Sequence, residues 1–182
     1  MGGIMPALRT GLTAVTVAVL VGATTVVTQG SVTAATVAPE RVGGIAHLNT
    51  PVNLPNGVWT DTPLEVTLPR AGTYELDADV RGRLAGVPPV NAFITARLWD
   101  VTSGTAVAES ERLVNQIIDL NAGAAQAGGN ATAPISERVQ VNRPTTIRLQ
   151  GIRNNAVGAA TIAQIYSDAS GRMSLRYERV GP

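Results

Sequence analysis

His47 is the sole histidine of this 182-residue chain, and cysteine is absent. A nucleophile–base–orienter triad and a multi-histidine metal site both depend on residue types that are scarce here. Without cysteine there is neither a thiolate ligand nor a disulfide framework. His47 reads as an ordinary strand or loop residue near the start of a domain. Carboxylates and aromatics remain. Glu75, Asp77 and Asp79 stand two apart, the spacing that puts side chains on one face of a strand. Asp77 and Asp79 are candidate ligands for calcium, which would draw further oxygens from loop carbonyls. A pair of acids across a cleft could instead serve glycoside hydrolysis. The simpler alternative is ion pairing with Arg81, Arg97 or Arg148, each exposed pair contributing at most about 1 kcal/mol. A second set, Trp59, Phe93, Arg97 and Trp99, holds both tryptophans and the one phenylalanine and is the candidate binding or interface group. If Ile94, Ala96 and Leu98 fill a core, Phe93 and Trp99 form an exposed patch for a subunit or a ligand. In the reverse assignment they are the core. The expectation is a protein without catalytic residues or bound cofactor, calcium being the one candidate.

These residues lie on segments that alternate with a period of two. Tyr74, Leu76, Ala78 and Val80 share one face and Thr73, Glu75, Asp77, Asp79 and Arg81 the other, the pattern of a half-buried antiparallel strand. Before them, Pro69-Arg-Ala-Gly72 follows the apolar run Leu64 to Leu68, with Pro69 fixing φ and Gly72 able to take positive φ. This predicts a hairpin. Ala92 to Asp100 alternates again, and Thr102-Ser-Gly104 turns it back into Thr105 to Leu113 as a second hairpin. Val114 to Leu120 fits either strand or helical turn, and Asn121 to Asn130, rich in Ala and Gly, reads as a flexible loop. Ile135 to Val141, Thr145 to Ile152, Val157 to Tyr166 and Met173 to Val180 complete the set. Eight to ten short strands about ten residues apart, with no amphipathic helix, predict an all-β sandwich or barrel.

The ends and the charge set the setting. Residues 1–35 have the three-part layout of a secretory signal peptide helix, ending in Ser31-Val-Thr-Ala-Ala35. The apolar run of about 17 residues is short for a spanning helix, so membrane attachment is expected only if the leader is retained. Residues 36–57 form a lead-in with the first strand, Ile45 to Leu48, and residues 58–182 form the sandwich domain. All 14 basic residues are arginine; without Arg9 the count falls to thirteen, equal to the 13 acids. A neutral chain lacks the basic stripe that releases counterions from phosphates, which excludes nucleic acid as the expected partner. Aromatics make up 3% of the chain, so the core must be built from small aliphatic side chains.

Val66-Thr-Leu-Pro-Arg-Ala-Gly-Thr-Tyr-Glu-Leu76, then Phe93-Ile-Thr-Ala-Arg-Leu-Trp-Asp100 and the closing Leu175-Arg-Tyr-Glu-Arg-Val-Gly181, resemble the jelly roll of the tumour necrosis factor and complement globular-head superfamily. The forms in bacterial secreted proteins and phage fibre tips are the most similar. The resemblance spans Trp59 to Gly181. It implies a jelly-roll sandwich, a homotrimer, and a secreted, non-enzymatic binding or assembly module that recognises a protein or carbohydrate through loops at one sandwich end. The candidate loops are Pro51 to Gly57, Ala85 to Asn91 and Asn121 to Asn130, and the sequence does not say which of them share an end. Two alternatives stand beside it: a carbohydrate-binding jelly roll, with or without calcium, and a structural surface or coat protein.

Overall fold

The computed structural model describes residues 42–182; the expected signal peptide and the beginning of the lead-in lie outside these residues. Eleven strands follow in order: β1 Gly43–His47, β2 Val52–Asn53, β3 Thr60–Leu68, β4 Gly72–Gly86, β5 Val90–Asp100, β6 Thr105–Ala106, β7 Arg112–Asp119, β8 Ala127–Val141, β9 Thr145–Val157, β10 Ala160–Ile165 and β11 Ser174–Gly181. Among the described residues there is no helix.

Strand β4 is the spine of sheet A. Its whole length pairs with β8, from Gly72↔Val141 to Gly86↔Ala127. Its other edge pairs first with β11 and then with β10, which lie end to end beside it. Strands β1 and β2 flank β11 and β10. Sheet B runs β3-β9-β5, with β7 and β6 sharing the far edge of β5. All of these strand pairs are antiparallel. The eight main strands thus form β1-β11-β4-β8 facing β3-β9-β5-β7, with the chain passing repeatedly from one sheet to the other. That is a jelly-roll sandwich, as expected.

The interior is set by alternation. Tyr74, Leu76, Ala78, Val80 and Leu84 of β4 face Ile94, Ala96 and Leu98 of β5 and Ile147 and Leu149 of β9 in one buried cluster. Because Ile94, Ala96 and Leu98 are fully buried, Phe93, Arg97 and Trp99 must point out of sheet B. Pro63 sits in β3 without harm, since β3 is an edge strand and its register shifts between Asp61 and Glu65.

The first expected hairpin is a correction. Strand β3 pairs with β9 and not with β4, so Pro69 to Gly72 carries the chain from sheet B to sheet A. The local turn chemistry is as read, with Gly72 at φ 149°. The second hairpin does form, in two pieces: Trp99↔Ala106 and Asp100↔Thr105 near the turn, then β7 against Val90 to Ala96. Residues 127–130, read as loop, are strand; they supply hydrogen-bond partners for the far end of β4, whose backbone would otherwise be unpaired.

The crossover at Pro69 is tied to the core by Tyr74, fully buried, whose hydroxyl donates to Arg70 O at 3.0 Å. Tyr74→Phe keeps the ring and deletes this bond, so stability should fall by about 1 kcal/mol. Urea unfolding checks this: the midpoint should drop with an unchanged slope.

Candidate functional site

The outer face of sheet B gathers three of the four expected interface residues. Trp59, just before β3, and Trp99, on β5, both present a ring to the Arg97 guanidinium, whose central carbon is 3.9 Å from the Trp59 ring centre and 4.8 Å from the Trp99 ring centre. Cation–π attraction at such a site contributes about 0.5–1 kcal/mol, more where water is excluded. The stack is fixed from below: Arg97 Nε donates to Gln150 Oε1 at 2.9 Å, and Gln150 Nε2 donates to Asp61 Oδ1 at 2.7 Å. Arg148 extends the row, bonding Asp61 at 2.8 Å and placing two nitrogens on Glu65 Oε2 at 2.7 and 2.9 Å. The Gln150 bond, aided by Arg148, holds the Asp61 carboxyl below its ordinary value. The bonds from Arg148 to Glu65 and Asp61 in turn hold that guanidinium more firmly protonated. Arg97 also meets Glu111 at 3.4 Å.

Phe93 lies farther along β5, outside this stack. Its strand neighbours are Gln116 and Asn154, and exposed aliphatic side chains stand in the adjoining rows. Thr95 is flanked by Leu113 and Ile152, and Asn91 by Ile118 and Val157. Leu113 is 56% exposed, Ile118 62% and Val157 42%. Leu113 and Ile118 were missed in the sequence because a bulge at Val114 reverses the alternation of β7, with Val114 and Ile117 pointing inward; Val157 is set opposite Asn91 by a second register shift, in β9.

Sheet A presents the opposite character. Glu75 pairs with Arg138, Asp77 accepts from Ser136 Oγ at 2.6 Å, and Asp79 lies 3.7 Å from Arg176. The acids therefore take partners on β8 and β11. Arg97 and Arg148, expected as partners, belong to sheet B, and Arg81 turns to Asp168 at 2.9 Å. Among the described residues no three His, Cys, Asp or Glu side chains cluster as a metal site would require. His47 is exposed at the end of β1, opposite Ser174.

Tyr166, Asp168 and Arg83 complete a cluster that the sequence did not announce. Tyr166 donates to Asp168 at 2.7 Å, and the Arg83 guanidinium lies 3.6 Å from the Tyr166 ring centre. The bond from Tyr166, then that from Arg81, lowers the Asp168 carboxyl to about 2, while the same bond raises the Tyr166 hydroxyl.

Of the three candidate loops, Ala85 to Asn91 and residues 121–126 share an end: β4 ends, β5 starts, β7 ends and β8 starts there. Pro51 to Gly57 runs along the sheet edges toward that end, where Asn56 Oδ1 accepts from Asn155 N at 2.9 Å. At the other end an open cleft is lined by Ala71, Thr102, Gln140, Arg143 and Pro182 together with Asp100, whose carboxylate is engaged by the Thr102 and Ser103 amides.

No family model matches the chain, and no curated protein matches it. Solved structures do. The infectious bursal disease virus VP2 subviral particle is 13% identical with a TM-score of 0.46, covering 78% of this chain and 33% of that one. The Gx strain of the same virus gives 12% and 0.44, over 77% and 38%. The chain thus spans only about a third of the length of these proteins.

Two outcomes are expected. Both tryptophans of the chain lie in the Arg97 stack, so intrinsic fluorescence reports on it alone. Arg97→Met should shift the emission to the red and lower stability by about 1 kcal/mol. Asp168 gives a pH dependence. Its folded carboxyl is lowered from 3.8 to about 2, so its contribution is full above the unfolded value and is lost as pH falls from about 4 to 2. Acid titration of the folded fraction should show this loss, and Asp168→Asn should flatten the profile in that window.

Proposed function

We propose that this chain is a secreted, non-enzymatic jelly-roll module that self-associates through the outer face of sheet B. The observation that carries the reading is the set of outward apolar side chains Phe93, Leu113, Ile118, Ile152 and Val157, interleaved with neutral polar residues on the same face as the Trp59–Arg97–Trp99 group. Leu113, Ile118 and Val157 are large exposed aliphatics gathered on one face, and Trp, Phe and Arg are the residues enriched where protein surfaces meet. The polar groups set among the aliphatics are Asn91, Gln116, Asn154 and Thr95, all neutral and able both to donate and to accept. Such a surface is complementary to a second copy of itself, and it offers nothing that selects a charged partner.

The resemblance to the tumour necrosis factor and complement globular-head superfamily favours three copies. A structural surface or coat protein would repeat the same contact in a larger array. Calcium has no necessary part in either: the carboxylates of Asp77 and Asp79 are engaged with Ser136 and Arg176, whereas the ion takes six to eight oxygens.

Light scattering after size exclusion tests the proposal. The purified protein should run as an oligomer, trimeric if the resemblance holds, with mass and melting temperature unchanged by chelator. Ile118→Asp and Leu113→Asp, each burying a charge in the contact, should give folded monomers. A wild-type monomer, or variants that remain oligomeric, would overturn the assignment of this face.

A further inference from the structure

The outer face of sheet A carries a second feature, on the opposite side of the sandwich from the proposed contact. One register row crosses four strands: Asn130 on β8, Arg83 on β4, Gln164 on β10 and Asn53 on β2. Three strand spacings make the row about 14 Å long. Each member has one end tied and the other end available. Arg83 Nε donates to Asn130 Oδ1 at 3.3 Å, and Gln164 Nε2 donates to Asn53 Oδ1 at 2.8 Å. Among the described residues, Asn130 Nδ2, Gln164 Oε1, Asn53 Nδ2 and the two terminal nitrogens of Arg83 make no hydrogen bond.

Arg83 differs from the other arginines of this face. Arg81, Arg138 and Arg176 each meet an acid, whereas Arg83 has none. The neighbouring carboxylate, Asp168, is already held by Tyr166, Arg81 and the amides of Ser170 and Gly171. Stacking on Tyr166 at 3.6 Å fixes the plane of the Arg83 guanidinium and leaves its fork unpaired. A planar fork of this kind matches a carboxylate through two parallel bonds. The amides on either side have the complementary ends that hydroxyl groups require. The row itself contains no apolar anchor of the sort that a protein partner buries.

We propose that this row binds a carboxylated sugar, with Arg83 taking the carboxylate and Asn130, Gln164 and Asn53 the hydroxyls. The probe is a tetramer of galacturonate, titrated calorimetrically into the full chain, with its carboxyl-reduced neutral counterpart and poly-glutamate as comparisons. Saturable binding of the uronate is expected, weaker by about tenfold or more for the neutral tetramer and weakening as salt rises. Arg83→Gln should lose about as much, and Arg83→Lys, which keeps the charge without the fork, should not restore full affinity. Gln164→Ala leaves the Tyr166 stack intact and should also weaken binding. Unchanged tryptophan emission, which reports on the opposite sheet, certifies that each variant is folded. Absence of uronate binding, equal affinity for the neutral tetramer, preference for poly-glutamate, or a folded Arg83→Gln variant of unchanged affinity would each overturn the assignment.

Discussion

Alternation along β4 is the constraint on which the rest of the molecule depends. Within fifteen residues it sends Tyr74, Leu76, Ala78, Val80 and Leu84 into the core and Thr73, Glu75, Asp77, Asp79, Arg81 and Arg83 to the outside. The two sides are unequal in energy. Full burial of one large aliphatic side chain contributes about 1.5–3 kcal/mol, whereas an exposed ion pair such as Glu75 with Arg138 contributes between nothing and about 1 kcal/mol. The inward residues therefore fix the register of β8, β10 and β11 against β4. A slip of one position would turn every aliphatic side chain outward. The outward residues inherit their neighbours from that register, and so have little say in the fold and much freedom in what they present to other molecules.

This inequality explains what was legible in the sequence. The periodicity of the strands, the sandwich they imply and the positive φ at Gly72 are local matters, written in residues close in the chain. The hairpin at Pro69 failed because a turn that reverses the chain within a sheet and one that crosses between sheets make the same local demands. Only the distant pairing of β3 with β9 decides between them. Likewise Gly128 and Gly129 look like a loop by composition, yet the length of β4 requires a partner strand there. Composition reports the cost of ordering such a segment but not the backbone hydrogen bonds that compensate for it.

The site was legible in the same uneven way. Trp59, Arg97 and Trp99 could be chosen for their chemistry, but their meeting could not be read from a separation of some forty positions. The face of β5 was also open, since aromatic and aliphatic residues stood on opposite sides. Arg97 settles it physically: turning that face inward would bury a guanidinium, which is costly without a paired acid, whereas turning it outward lets the cation stack against two indoles and still reach Gln150. The acids of β4 show the converse. Their common face was readable, but their partners depend on registers that no local pattern specifies, and these proved to be Arg138, Ser136 and Arg176.

The two outer faces then differ for a reason rooted in their strands. On sheet A the outward positions of β4, β8 and β11 are mostly charged or hydroxylated and satisfy one another across the strands, which leaves little apolar area to cover. On sheet B the bulge at Val114 re-aims β7, so that Leu113 and Ile118 join Phe93 and Ile152 on the outside while Val114 and Ile117 complete the interior. The extra residue in this strand thus decides which aliphatic side chains fill the core and which remain outside. The Trp59–Arg97–Trp99 group lies on the same outer face. Because Arg97 is already held by Gln150, a partner meeting the group would have one long side chain fewer to immobilise, and ordering of side chains is among the main costs of association.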